Sequence, residues 1–151
     1  MPGKRSIEAK QYYAHPHNIF WDIMGDLFGA SRDLAYRRRL SLLKESGVAL
    51  WDVVFQCERN GSLDAAIDMN TVQPNDFQTL FAECPSIRSI FFNGHKAEEL
   101  FKRLVVRHLG DAAERFRFMR LPSTSPAHAS CSRAQKISMW KKSIRPQQVL
   151  G

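Results

Sequence analysis

Two short stretches gather the residue types that can hold a base and grip a phosphate. The first is Gln11-Tyr12-Tyr13-Ala14-His15-Pro16-His17-Asn18-Ile19-Phe20-Trp21. Paired tyrosines, a histidine, a proline and an asparagine crowd the approach to a helix N-terminus. Aromatic faces there can stack on a base, and a carboxamide can position a water molecule or a base edge. The same residues also suit a purely structural role, with the tyrosines packed and Asn18 capping the helix, and taken alone that role suits them better. The second stretch is Leu121-Pro122-Ser123-Thr124-Ser125-Pro126-Ala127-His128. Two prolines stiffen it, and its three hydroxyls and backbone N–H groups would face outward at a helix start, as a phosphate grip requires. An ordinary strand-to-helix connection accounts for it equally well. His15 and His17 alternate as a metal pair would, but no acidic or thiol partner stands nearby, so no metal site is expected.

The elements that must position these stretches are legible from apolar spacing and breakers. Phe20, Ile23, Met24, Leu27 and Phe28 recur at helical spacing over Ile19–Phe28, and Gly29 stops them. Ser31 can cap a second helix with the apolar face Leu34, Leu40, Leu42 and Leu43, stopped by Gly47. Val48-Ala49-Leu50-Trp51 has the form of a short buried strand, and Asn60-Gly61 that of a turn. Asn75-Asp76-Phe77-Gln78 has the form of a capping box opening a helix that ends before Pro85. Ile87–Phe92 is a second strand with a sharp turn at Gly94. Ala97–Leu109 is an amphipathic helix stopped by Gly110, Phe116–Leu121 a third strand, and Ala127–Ile144 a basic helix. Strand and helix alternate, which predicts an α/β fold with a parallel sheet whose ligands bind beyond the carboxyl ends of its strands.

The totals narrow the class. At 151 residues one domain, 1–151, is expected, and 44% hydrophobic with 25% charged residues rules against disorder. The N-terminus carries no signal-peptide core and no apolar run is long enough to span a bilayer, so a cytoplasmic, non-membrane protein is expected. Cys57, Cys84 and Cys131 are odd in number and far apart, and are expected as reduced thiols. The net charge of +7 is uneven: Arg133, Lys136, Lys141, Lys142 and Arg145 cluster without an acid, and Arg37, Arg38 and Arg39 form a second group. That suits a polyanion such as nucleic acid, and it equally suits a solvated surface.

Taken together, Met1-Pro2-Gly3, Tyr12–Trp21, Gly47–Val53, Pro74–Phe77, Phe91–Gly94 and Leu121–Ala127 resemble, in order and over nearly the whole chain, the motifs of the uracil-DNA glycosylase superfamily. They are most similar to its hypoxanthine-DNA glycosylase branch. The resemblance implies a three-layer αβα fold with a central parallel sheet. It implies action on DNA holding a deaminated base, in base excision repair, with no cofactor and no metal, and a monomer is expected by default. It makes Asn18 the catalytic residue, whose amide orients water toward the sugar C1′ as the base departs from an oxocarbenium-like sugar. Tyr13, His15 and Asn93 become candidates for the base pocket by motif position alone. Pro122, Ser123, Thr124 and Ser125 become the loop that enters DNA and supports base flipping.

Two departures stand out. His128 occupies a place where a small or amide residue is expected. The Pro-Gly motif also starts at Met1, so the fold would lack its first strand, and the native protein is expected to extend upstream by roughly twenty residues carrying it. Two other functions stay open at this stage. One is a catalytically inactive nucleic-acid-binding remnant of the fold; the other, weaker for want of paired carboxylates near a strand end, is a small-molecule glycosidase.

Overall fold

The computed structural model describes residues 4–56, 68 and 70–144. In chain order the elements are α1 (Lys4–Ala9), α2 (Phe20–Phe28), α3 (Tyr36–Glu45), β1 (Val54–Gln56) and β2 (Gln73–Pro74). Then come α4 (Phe77–Glu83), β3 (Ser89–Asn93), α5 (His95–Phe101), α6 (Arg107–Leu109), β4 (Arg117–Leu121) and α7 (Arg133–Ser143). A π-helical turn over Lys102–Val106 joins α5 to α6, and a 3₁₀ stretch over Gly110–Arg115 leads into β4. The residues cluster in two compact units, one drawn from 52–121 and the other from 4–51 with 122–144.

In the first unit β3 and β4 run parallel, in register from Ser89↔Arg117 to Asn93↔Leu121, with the α5–α6 segment as the crossover. This is the strand–helix–strand unit the alternating pattern predicts, and it fixes the chain as α/β. The other described strands, β1 and β2, pair antiparallel with a register shift. The core here is aromatic: Phe77 and Phe81 of α4 meet Phe101 edge-on at 5.0 Å and Phe116 at 4.4 Å respectively, with Phe92 against Phe101 at 5.2 Å. Such ring pairs add to the roughly 1.5–3 kcal/mol that burying each side chain contributes.

In the second unit α2 is the buried element. Phe20, Trp21, Ile23 and Met24 are each no more than 3% exposed. Gly29 ends the helix with φ 69°, a left-handed cap that glycine adopts without strain.

Several expected boundaries move, each for a local reason. Ser31 does not cap α3; its hydroxyl turns to the Asp33 carboxylate and the helix begins only at Tyr36 after Ala35. The run Val48–Trp51 is not a strand. The Val48 N–H closes the end of α3 by donating to the Leu43 carbonyl at 2.8 Å, and Gly47 sits at φ 73° in the same cap. With no ladder partner among the described residues, the apolar run stays irregular and Trp51 is 50% exposed. The strand falls further on, at Val54. At α4 the cap is Asp76, not Asn75: its carboxylate accepts from the Thr79 N–H and hydroxyl, while the Asn75 amide donates to the Asp52 carbonyl at 2.8 Å. The last helix starts at Arg133, six residues later than Ala127, because Ser132 and Gln135 form the capping box there. Met1-Pro2-Gly3, Cys57, Asn60-Gly61 and Arg145 lie outside the described residues. Among the described residues no helix is long and apolar enough to cross a membrane, and Cys84 and Cys131 are free thiols.

Candidate active site

Asn18 stands just before α2 and is only 9% exposed. Every group it offers the chain is fixed. Its N–H donates to the His15 carbonyl at 2.9 Å, and its own carbonyl accepts from the Arg32 guanidinium. Its side-chain Oδ1 accepts the Phe20 N–H at 3.0 Å, satisfying one of the donors that the start of a helix leaves unpaired. Asn18 stands one residue before the N-cap, Ile19, and closes an i to i+2 turn onto the first helical N–H, which employs one lone pair of Oδ1. Among the described residues no partner takes its second lone pair or its Nδ2–H₂ donors, which can meet water or substrate.

The preceding turn holds an aromatic platform. Tyr13 is half-buried, with its ring stacked on Phe20 at 4.0 Å and 25°. Its φ of 54° is left-handed, a conformation costing a bulky residue about 1 kcal/mol or more, and it persists because both sides are tied. Next to it, the Tyr12 N–H donates to the Tyr36 hydroxyl at 3.0 Å and the Tyr12 carbonyl accepts from Trp21 Nε1 at 2.9 Å. Ser6 of α1, itself buried, accepts the Ala14 N–H at 3.1 Å. Of the arginine group, Arg39 lies over the Trp21 ring at 4.5 Å and Arg38 faces Glu45 at 3.5 Å. Arg39 therefore packs into the fold, while Arg38 stays on the surface beside an exposed glutamate. His15 accepts the His17 N–H at Nδ1, 3.1 Å away, so a neutral His15 ring carries its proton on Nε2. Among the described residues no three His, Cys, Asp or Glu side chains gather where they could hold a metal ion.

The loop after β4 meets this turn through its backbone. The Ile19 N–H donates to the Thr124 carbonyl at 3.2 Å. Trp140 Nε1 donates to the Pro122 carbonyl at 2.8 Å, and Lys136 Nζ donates to the carbonyls of Ser125 at 3.0 Å and His128 at 2.6 Å. Four carbonyls are thus turned inward. Outward-facing hydroxyls were expected on Ser123, Thr124 and Ser125, but Thr124 is 1% exposed and belongs to the interior. The Oγ atoms of Ser123 and Ser125 accept the N–H groups of Ser125 and Ala127 at 3.3 and 3.2 Å. A phosphate here would therefore meet the hydroxyl hydrogens of Ser123 and Ser125, not those N–H groups. A cleft of about 250 Å³ is lined by polar groups of His17, Ser125, His128 and Arg133 together with apolar surface of Ile19 and Pro126. Asp22 accepts from Arg32 at 3.4 Å and Arg133 at 3.1 Å, joining the carbonyl clamp on Asn18 to the start of α7.

Asn93 lies in the other unit, at the carboxyl end of β3 opposite Leu121. Gly94 follows at φ 96° and donates to the Leu121 carbonyl at 3.0 Å, so the turn is held across the parallel pair. The motif-based reading overlooked Arg32, Trp140 and the inward position of Lys136. A lysine one helical turn before a tryptophan, and so on the same face as it, was the available signal.

Comparison with known proteins follows the same outline. Residues 1–146 match the model of the uracil DNA glycosylase superfamily. The chain is 35% identical over 146 residues to a hypoxanthine DNA glycosylase of Methanosarcina acetivorans, covering 96% of this chain and 86% of that one. It is 36% identical over 100 residues to a hypoxanthine DNA glycosylase of Methanosarcina barkeri, covering 66% and 62%. It is also similar to the solution NMR structure of a candidate uracil DNA glycosylase from Methanosarcina acetivorans, with a TM-score of 0.71 at 35% identity, covering 92% of this chain and 81% of that one.

Proposed function

This chain belongs to the uracil DNA glycosylase superfamily and is a DNA glycosylase, and we propose that hypoxanthine is the base it chiefly removes, with Asn18 as its catalytic residue. The observation that carries the reading is the fixed carboxamide. Asn18 is held through its N–H, its carbonyl and one lone pair of Oδ1, so what remains of the side chain is aimed before substrate arrives.

The step is a hydrolysis. The bond between the sugar C1′ and the base nitrogen breaks, and its electron pair leaves with the base. A water oriented by Asn18 adds to C1′ and gives its proton to solvent, leaving an abasic site. An amide is too weak a base to deprotonate water, so its part is orientation, which suffices when the sugar is already oxocarbenium-like. The departing base needs donors, and His15 Nε2–H supplies one; Asn93 is a candidate for base binding by its motif position alone. Tyr13, backed by Phe20, offers a face on which the flipped base stacks. Pro122, Ser123 and Ser125 form the rigid rim that supports the flipped strand, with Thr124 as the buried anchor beneath it. None of this calls for a cofactor. The protein acts as a monomer in the cytoplasm.

The experiment is a single-turnover assay on a duplex with one deoxyinosine, beside duplexes with one uracil or one xanthine. Fastest release of hypoxanthine supports the substrate. Fastest release of uracil would move the specificity and leave the enzyme class. Tight binding to the duplex with no abasic product would mean a binding protein on the same fold.

A further inference from the structure

Lys136 is one of two residues of α7 that are buried, at 5% exposure, and the other, Trp140 at 3%, lies one turn along the same face. A basic C-terminal helix predicts that such a lysine reaches for phosphate. Its ammonium instead points inward and donates to the Ser125 and His128 carbonyls at 3.0 and 2.6 Å. Among the described residues no carboxylate faces it; its nearest partners are carbonyl dipoles alone. A buried cation without a counter-charge is costly to the fold, and apolar residues of that size would fill the space at lower cost. Its two carbonyl partners, at the two ends of one turn, point to a role in holding that turn.

The Ser125 carbonyl already accepts the His128 N–H at 3.2 Å, closing the turn Ser125–His128, and Lys136 spans the two ends of that turn. Trp140 holds Pro122 in the same way from the same helix face. α7 therefore grips the loop from Pro122 to His128 at both ends. The carbonyls face the protein and the hydroxyl hydrogens of Ser123 and Ser125 are left for the other side.

We propose that Lys136 is a positioning residue for base flipping: its ammonium clips the Ser125–His128 turn so that the Pro122–Pro126 rim is rigid when the target base leaves the helix. This rests on the DNA glycosylase reading of the rim. Lys136 acts through the loop and does not touch the reacting atoms. Its effect belongs to the flipping step, where a duplex must be opened, and not to bond cleavage at Asn18. A single strand needs no such support.

The test compares Lys136→Met with the unsubstituted chain on deoxyinosine in a duplex and in a single strand of the same sequence, under single turnover. The clip predicts a fall of about tenfold or more on the duplex, with the single-strand rate within about twofold. Lys136→Gln keeps an uncharged N–H₂ donor on a side chain one bond shorter, and is expected to recover part of the duplex rate. It also serves as the deciding variant if Lys136→Met does not melt cooperatively. Equal losses on both substrates, or no loss on either, would overturn the proposal. Amide exchange supplies a reading independent of activity: the His128 N–H should exchange about tenfold faster in Lys136→Met while α2 amides are unchanged. If the unsubstituted chain releases no hypoxanthine from either substrate, the substrate reading fails, and unaltered His128 exchange would then remove the clip as well.

Discussion

The Ile19 N–H donates to the Thr124 carbonyl at 3.2 Å, which ties the residue after Asn18 to the middle of the loop that follows β4. The link is backbone to backbone, so side-chain identity at either end does not create it. It makes the Asn18 turn and the Pro122–Pro126 rim parts of one assembly.

A measurable consequence concerns exchange. N–H groups at the start of a helix have no intrahelical acceptor and usually exchange freely. Ile19 precedes α2, yet its N–H has an acceptor in Thr124 and its side chain is 7% exposed. Its amide should therefore exchange as slowly as the interior of α2 in a two-dimensional NMR time course. Exchange at the rate of an open helix end would mean that the link does not persist in solution.

Gly25 provides a test of the packing beneath the site. A Cβ built there would stand 2.9 Å from Ser31 Cβ and 3.0 Å from Ser31 Cα, and the second of these is backbone. Overpacking of that kind costs about 1–3 kcal/mol, while exchanging glycine for alanine inside a helix returns up to about 1 kcal/mol. Gly25→Ala should thus lose up to about 2 kcal/mol, visible as a lower melting temperature. A higher one would mean that the Ser31 turn gives way without cost.

The C-terminal basic cluster divides differently from its composition. Lys136 is internal, Lys141 faces Asp26 at 3.3 Å, and Lys142 is exposed without an ion pair among the described residues. Replacing Lys141 and Lys142 together with Gln should weaken binding to every duplex alike. It should also flatten the salt dependence by roughly one unit of slope per lost phosphate contact. Titrations at several salt concentrations decide it, and an unchanged slope would place the outer face of α7 away from DNA.

What the sequence made legible follows from which forces are local. Gly29, Gly47 and Gly110 all take positive φ, and the helix ends expected at each are found there. The β3 and β4 strands follow from their apolar runs within a residue or two. Val48–Trp51 failed because a strand requires a partner, and no local pattern reveals whether one is supplied. Lys136 was misjudged for a related reason: a lysine looks alike in sequence whether it faces solvent or two carbonyls. The motif resemblance pairs Asn18 with the Pro122–Ser125 loop, but the burial of Thr124 and the bond from Ile19 that joins the two arise only in the folded chain.

Charge burial gives a prediction with a definite sign. Burial raises the Asp52 carboxyl above its ordinary value, while its backbone carbonyl is engaged by Asn75. A raised folded pKa means that the folded state holds the proton more tightly than the unfolded chain does. The cost of the ionised carboxylate is therefore borne in full above the folded pKa and vanishes below the unfolded one. Asn in its place should make the protein more stable at pH 7, with the gain shrinking as pH falls toward 4. Thermal melts of Asp52→Asn and the unsubstituted chain across that range measure it; a gap that widens toward acid would contradict the assignment.

The last prediction separates the two roles of Asn18. At the helix start its Oδ1 holds the Phe20 N–H, and Asn18→Ala should cost about 1 kcal/mol of stability. As the group that orients water, its loss should lower single-turnover base release by roughly a hundredfold or more. Stability alone cannot distinguish these, because a loosened α2 would also disturb Tyr13 through its stacking on Phe20. Asn18→Asp does distinguish them. A carboxylate accepts the Phe20 N–H as well as an amide does and suits a helix N-terminus, so the melt should return to that of the parent. It lacks the Nδ2 donors, but it still accepts a hydrogen bond from water and is the stronger base, so it keeps a group able to orient water while keeping the melt. Asn18→Asp should therefore match the parent in its melt and exceed Asn18→Ala in rate on deoxyinosine. An Asn18→Ala rate within about twofold of the parent's would reduce Asn18 to a holder of the helix start, and the water would have to be oriented by another group.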